Sequence, residues 1–582
     1  MTEPTPTARS IPLRHGDFPT LTAALDYAAT GDTGFNYFDG RGRLTTSLPY
    51  AELRDRAMDL ALRLVGFAPK DSRIGLAAVS TPDFAVLFFA CQYAGLVPAP
   101  VPLPVTLGGR SSYERQLERM ADTGDFFALF APESMEPIMS SALNDTATPV
   151  ITFEAVQDLP KGDALRPFGD DDLCYIQYSS GSTSSPKGIL GSQASVSANC
   201  HGITKHGLQV NETDRATSWL PLYHDMGLIG FMIAPMMAQL SVDYMDPTDF
   251  TRRPITWLQL ISDNRGTLSY SPTFGYELCV RRWRDDRDLD LSCWRAAGIG
   301  GDMVRPEPLT EFSQTFGPMG FTGSAFTPSY GMAETTLAAT FAPLGQGLVK
   351  HTIDMRHYET TSNAVAATDL TPPADTRTFV ACGVKLPGHD IEIRDADNAV
   401  LGEDHVGRIC LKGPSLSPGY FRNSQATEAA FSRDGWLDTG DLGYWHDGQL
   451  IVTGRHKDLI LYHGRNIWPQ DIEWAAQAAA PHRCGRACAF SVGGAGDEKT
   501  IMLLLECRTR DDKLLQEIEK AVSAAIRLEV GVPVQLMLVP KSTMIITSSG
   551  KLSRARVKQK YLDGGIIDLQ APTPLRAVEA QG

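Results

Sequence analysis

Between Arg73 and Phe153 short apolar runs alternate with one helix-length apolar segment, and this alternation constrains the fold more than any other feature of the chain. The runs Arg73–Val79, Val97–Val101, Phe126–Phe130 and Val150–Phe153 have strand length, whereas Pro82–Gly95 has helical character. Runs that are apolar at successive positions, rather than alternate ones, belong to strands buried on both faces. The pattern predicts βαβ units and an α/β fold of mainly parallel sheets flanked by helices. With 582 residues there is room for a second domain.

Two composition changes mark the organisation. Leu348 to Arg377 is polar, Thr-rich and carries Pro372-Pro373, and reads as an insertion (348–377). A second change follows Arg455, so we expect a large N-terminal domain over 1–456 and a small C-terminal domain over 457–582. The formal charge of −15 excludes a general affinity for nucleic acid or anionic membrane, which want a basic face. Met226–Leu240, the most apolar stretch, is too short for a membrane span and reads as a buried helix. The N-terminus lacks an apolar signal core, and the 10 scattered cysteines read as buried thiols, so a cytoplasmic location is expected. Cys484 and Cys488 have no second ligand pair nearby and are not expected to hold a metal.

The strongest local signal is an apolar strand, Cys174–Tyr178, running into Ser179, Ser180, Gly181, Ser182, Thr183, Ser184 and Ser185, then Pro186-Lys187-Gly188. Hydroxyls and backbone N–H groups in such a loop cradle phosphate oxygens, and Lys187 adds a point charge. A Walker A loop needs Lys-Ser/Thr opening a helix. Here Pro186 intervenes, and Ile189-Leu190 predicts a second strand. The alternative is a flexible Ser-rich hairpin.

The loop resembles the phosphate-binding signature of the adenylate-forming superfamily of acyl-CoA synthetases, fatty acyl-AMP ligases and nonribosomal-peptide adenylation domains, with Ser184 where many members have Gly. Six further segments match in family order. Trp219–Leu228 resembles the carboxylate-site segment, which implies that His224 lies between the substrate carboxyl and the α-phosphate. Gly300-Gly301-Asp302 resembles the loop against adenine. Ser329-Tyr330-Gly331-Met332 is similar to the adenine motif, with Tyr330 stacking on the base. Glu334 and Thr183 are implied as Mg²⁺ ligands, a role that suits hard oxygen donors. Gly435–Gly443 resembles the ribose motif, from which Asp438 is taken as the acceptor of the ribose hydroxyls. Arg455 is implied to touch ribose or phosphate, Lys457 to be the hinge of a rotating C-terminal domain, and Lys551 to be the catalytic lysine. The resemblance also implies a β-barrel-like subdomain and a mobile α+β C-terminal domain.

The implied reaction is attack of a carboxylate on the α-phosphate of ATP, giving an acyl-adenylate and pyrophosphate. No protein nucleophile is needed, and no G-x-S-x-G elbow is found. Three features resemble fatty acyl-AMP ligases: the segment Ser271–Arg282 with Phe274 and Tyr276, the Met332-Ala333-Glu334 motif, and the insertion. With Phe231 these aromatics are the expected acyl-binding residues. In that family the insertion restrains the C-terminal domain and disfavours thioester formation with CoA. A fatty acid substrate, ATP, Mg²⁺ and an acyl carrier protein with 4′-phosphopantetheine are implied; the residues do not fix the oligomeric state, for which a monomer is the expectation. Acidic carriers want a basic patch; Lys551, Arg554, Arg556, Lys558 and Lys560 form one cluster, and Arg281, Arg282 and Arg284 another. The alternatives are a long-chain fatty acid–CoA ligase and a non-catalytic nucleotide binder. Lys551→Ala is expected to cost about 3–4 kcal/mol of transition-state stabilisation, as for a lost oxyanion donor. Acyl-adenylate formation would be abolished with ATP binding retained, and normal product yield in a mass-spectrometric assay would overturn the assignment.

Overall fold

The structure, a computed structural model, describes residues 10–104, 110–178, 186–284, 287–462, 465–493, 500–546 and 552–570, except for the side chains of residues 112 and 374. These residues fall into two compact units. The larger holds the described residues up to Thr352 together with Thr378–Thr453, and the smaller holds Ile353–Arg377 and the described residues from Gly454 onward.

The predicted alternation becomes a four-stranded, all-parallel sheet in the larger unit, ordered Val97–Val101, Arg73–Ala77, Phe126–Ala131, Val150–Thr152. The helix Pro82–Ala94 beside it is buried on nearly every side, which is why its sequence lacks a polar stripe. Pro82 opens it, and Gly95 at φ 67° closes it in the left-handed region. A second, nine-stranded sheet has a parallel core ordered Gly34–Phe38, Ser241–Met245, Arg215–Ser218, Leu268–Ser271, Ala296–Ile299, Phe326–Tyr330, with antiparallel strands at both edges. One continuous apolar core joins these sheets and their helices. The fold class is therefore α/β with mainly parallel sheets, as expected. The apolar stretch at 226–240 is helical but broken: Asp225–Leu228 passes through a wide turn at Ile229–Ile233 into Ala234–Met237, where Pro235 sits. No helix among the described residues is long and apolar enough to cross a membrane.

The expected barrel is not found among the described residues. The strands Asp390–Arg394, Gly407–Lys412, Leu437–His446 and Gln449–Arg455 form an open four-stranded sheet whose apolar face covers its own small core.

In the smaller unit the strands Cys484–Val492, Thr500–Cys507 and Gln535–Pro540 form a mixed sheet. Helix Asp512–Glu529 presents Leu515, Ile518, Val522 and Ile526 at helical spacing, and packs with Pro469–Ala479 on one face. Helix Arg554–Leu562 covers the other face through Val557. The insertion packs into this unit. Glu359 accepts two bonds from Arg465 at 2.7 and 3.0 Å, and Arg377 donates to Asp471 at 2.8 Å beside Trp468 and Trp474. The expectation attached 348–377 to the N-terminal domain; in the structure 353–377 falls in the smaller unit, where Glu359 and Arg377 find charge partners that local composition does not reveal.

Arg554, expected in a basic docking cluster, is instead the hub of a buried ion-pair group. It binds Glu473 at 2.8 and 2.6 Å and Asp458 at 3.0 Å. Removing one partner from such a group leaves uncompensated buried charge. Arg554→Ala is expected to destabilise the smaller unit by about 3–5 kcal/mol, seen as a lower urea midpoint; an unchanged midpoint would return Arg554 to the surface role.

Candidate functional site

The site is built where loops leave the ends of parallel strands, the usual location of ligand crevices in open α/β sheets. The strand Phe326–Tyr330 ends in Ser329-Tyr330-Gly331, and the chain then folds back sharply. Thr336 has φ 67° and ψ −57°, and Leu337 N donates to Thr335 O at 2.8 Å, which is a γ-turn. A β-branched residue in that conformation stores about 1–3 kcal/mol of strain. The buried Asn199 amide holds the return strand from both sides, donating to Ala338 O at 2.8 Å and accepting from Ala338 N at 3.1 Å. Thr336 Oγ1 donates to Ser415 O at 2.8 Å. The fold-back leaves no room for a side chain at Gly331, where a Cβ would lie 1.8 Å from Leu337 O.

Gly300 and Gly301 follow the neighbouring strand Ala296–Ile299. A Cβ on Gly300 would meet Ser329 Oγ at 3.2 Å, and one on Gly301, at φ 81°, would meet Met226 Sδ at 2.9 Å. The structure therefore brings together the loops at His224, Gly300 and Ser329. Asp302 is exposed and caps Met303 N. Met332 N is held by Thr335 Oγ1 at 3.2 Å.

His224 stands at the N-cap position of the helix Asp225–Leu228, where Met226 N donates to Asp225 Oδ1 at 2.7 Å. Its Nδ1 is 3.3 Å from Met226 N and 2.6 Å from Asp225 Oδ1. One nitrogen cannot accept from the amide and donate to the carboxylate at once. The shorter, charge-assisted contact dominates, so Nδ1–H donates to Asp225 and Nε2 is left to act elsewhere.

Glu334 lies in the turn after Met332. Its Oε1 accepts from Tyr420 Oη at 2.9 Å. Tyr420 belongs to a segment that pairs with the strand Gly188–Ser192: Leu190 N donates to Gly419 O at 3.0 Å and Phe421 N to Gly188 O at 2.8 Å. Lys187, just before that strand, places Nζ 4.5 Å from the centre of the Tyr420 ring. Burial and the Glu334 carboxylate push the Tyr420 phenol up, so it stays a protonated donor. Glu334 and Lys187, far apart in sequence, thus share one tyrosine that the sequence reading missed. Its only signal was an aromatic after Gly419.

Within the ribose-like motif, Asp438 is ion-paired with Arg408 and accepts from Gly440 N at 3.0 Å. The buried Asp441 instead accepts from Tyr330 Oη at 2.8 Å. Gly440, at φ 71°, kinks the strand between them. The sequence reading named Asp438; the structure brings Asp441 to the Tyr330 ring.

Of the expected acyl-binding residues, Phe231 is buried 6.2 Å from the Tyr270 ring, and Phe274 is half-exposed and edge-on to Trp219 at 5.8 Å. Tyr276 is a correction. It is fully buried among Trp257, Trp294, Phe312 and Phe326, with its hydroxyl on Gly298 O at 2.8 Å, so it is spent on the core. Arg455 and Lys457 are exposed at and just past the end of the strand Gln449–Arg455 in the smaller unit. Ser179, Ser180, Gly181, Ser182, Thr183 and Lys551 lie outside the described residues.

A family model described as AMP-binding enzyme matches residues 28–421. A Caulobacter vibrioides protein with the provisional name acyl-CoA synthetase is 46% identical over 96% of this chain and 98% of its own. The Moorena producens protein JamA, a medium-chain-fatty-acid–[acyl-carrier-protein] ligase, is 31% identical over 95% of this chain and 97% of its own. Among solved structures, one of the fatty acyl-adenylate ligases of E. coli and L. pneumophila superposes with a TM-score of 0.91 at 41% identity, covering 95% of this chain and 100% of that one.

Tyr276→Ala is expected to lower stability by about 3–5 kcal/mol, the usual cost of emptying a large aromatic site. Preference among acyl chain lengths would stay unchanged, and a stable variant with an altered preference would return Tyr276 to the acyl wall.

Proposed function

The chain belongs to the AMP-binding enzyme family, and on that premise we propose that it activates a medium- or long-chain fatty acid as its acyl-adenylate and passes the acyl group to the 4′-phosphopantetheine of an acyl carrier protein. The observation that carries the reading is the 2.8 Å bond between Tyr330 Oη and Asp441. It joins an aromatic ring suited to stacking on adenine to a carboxylate suited to the ribose, since a carboxylate only accepts and can take two hydroxyl donors. Asp441 takes the ribose role in place of Asp438, whose charge is already committed to Arg408. The close contacts at Gly300 and Gly301 fit a loop whose backbone lies against the nucleotide.

His224, oriented through its Nδ1–H bond to Asp225, donates from Nε2 to the fatty-acid carboxylate when the ring carries its second proton. The apolar rings of Phe231, Trp219 and Phe274 suit an alkyl chain. Lys187, Lys551 and the loop 179–183 neutralise and hold the phosphates, so the chain's work is positioning and charge stabilisation. Glu334, a hard oxygen donor held by Tyr420, fits a Mg²⁺ role with Thr183 as its partner. When bound there, Mg²⁺ supplies positive charge to the phosphate oxygens.

The carrier as acceptor is supported by JamA, which acts with a carrier protein and matches nearly the whole chain. It is also supported by the insertion, whose Glu359 and Arg377 pair with Arg465 and Asp471 of the smaller unit; such pairing suits an element that restrains that unit. Arg281 and Arg282, exposed at the end of helix Thr273–Arg282, are the favoured docking cations, since Arg554 is buried in its own ion pairs.

The test is a product assay by mass spectrometry with ATP, Mg²⁺ and fatty acids of several lengths, run alone, with free CoA, or with a holo-acyl carrier protein. Acyl-adenylate should persist with CoA and transfer to the carrier. Efficient acyl-CoA formation would instead make the protein an acyl-CoA ligase, the reading favoured by the name of the 46% identical relative. Absence of acyl-adenylate would make it a binder. In the same assay Asp441→Asn should lose about 10–100-fold of adenylate yield, the worth of hydrogen bonds to a charged group. Asp438→Asn should lose much less, and the reverse order would return the ribose role to Asp438.

A further inference from the structure

One cluster of ligand-grade side chains takes no part in this chemistry. His351 lies on the strand Lys350–Asp354, Asp404 in the turn before the strand Gly407–Lys412, and His446 at the end of the strand Leu437–His446, all in the larger unit. One donor atom from each lies within 4.8 Å of the other two. The His351 and His446 rings stack with centroids 3.6 Å apart and planes 6° from parallel.

The hydrogen bonds decide which atoms are on offer. His351 Nδ1 is 2.9 Å from Tyr444 Oη, and His446 Nδ1 is 2.7 Å from Asp404 Oδ1. His351 Nε2, in a side chain more than nine-tenths buried, has no hydrogen-bond partner among the described residues. A buried polar atom left unsatisfied costs about 1–3 kcal/mol, so its retention points to a ligand. Asp404 sits at φ 57°, outside the conformations most residues adopt, and this turn aims its carboxylate at His446. The His446 and Asp404 side chains keep 26% and 43% of their exposure, which leaves an entry path from solvent.

We propose that His351, His446 and Asp404 form a binding site for a borderline divalent cation of the zinc class, separate from the nucleotide site. Two imidazole nitrogens and one carboxylate are the donor set such ions favour, with water as the fourth ligand. The cation takes the place of the proton shared by His446 Nδ1 and Asp404. The imidazole stays neutral by carrying its hydrogen on Nε2, where Asp447 Oδ2 lies 3.7 Å away. Ligand bonds of about 2.0–2.2 Å require donors closer than 4.8 Å, so binding draws the three groups together. Lone pairs in parallel ring planes cannot converge on one ion, so binding must also unstack the histidines. The ion would then clamp the strand Lys350–Asp354, at the base of the insertion, to the strand Leu437–His446.

The test is titration of the chelator-stripped full-length protein with Co²⁺ in the absence of nucleotide, read by visible absorption, followed by displacement with Zn²⁺. One equivalent should bind with the intense band of a four-coordinate site and be displaced by Zn²⁺. His446→Gln and Asp404→Asn, at the exposed edge of the cluster, should each weaken binding by at least about tenfold while leaving Mg²⁺-dependent acyl-adenylate formation unchanged. His351→Gln should abolish the band. Because His351 is buried and that variant could fail to fold, the two edge variants decide. Absence of stoichiometric Co²⁺ binding, or binding unaltered in both edge variants, would overturn the proposal.

Discussion

The candidate site depends on one fold-back of the chain, between Ser329 and Ala338. Gly331 lies so close to the returning strand that a Cβ would overlap Leu337 O, and Thr336 is held in a γ-turn that a β-branched residue avoids. The surrounding structure sustains the strain: Asn199 grips Ala338 through both its N–H and its C=O, and Thr336 reaches Ser415. Tyr330 and Glu334, only four residues apart, thereby reach different partners. Tyr330 points to Asp441, and Glu334 points to Tyr420 and so to the Lys187 side. A relaxed loop would not hold both.

The second organising contact is the segment Ser417–Phe421 against the strand Gly188–Ser192. Its backbone bonds carry Tyr420 to Glu334, and Ser417 N binds Glu334 O directly at 2.8 Å. The paired strands Leu173–Tyr178 and Gly188–Ser192, the Glu334 carboxylate and the segment Ser417–Phe421 are thereby fixed to one another within the larger unit. In the smaller unit the corresponding role falls to ion pairs. Arg554 with Glu473 and Asp458, and Arg465 with Glu359, join elements that are distant in sequence. Such pairs contribute more to specifying an arrangement than to net stability, because desolvation offsets much of their attraction.

The sequence by itself determined the α/β class, because the strands Arg73–Ala77, Val97–Val101 and Phe126–Ala131 are apolar at most successive positions, and all but Arg73 and Phe127 are buried whichever face they occupy. It also singled out the segments at His224, Gly300 and Ser329 that the fold brings together, because they combine Gly, hydroxyl and charge at short offsets. The tertiary structure alone decided which members of those segments meet. Asp441 rather than Asp438 faces Tyr330, Tyr420 joins Glu334 to Lys187, Tyr276 turns into the core, and the insertion packs with the C-terminal unit. The physical reason is common to all four. A motif fixes residue types over a few positions, whereas the direction of a side chain and its partner are set by contacts between segments tens to hundreds of residues apart, which no local pattern encodes.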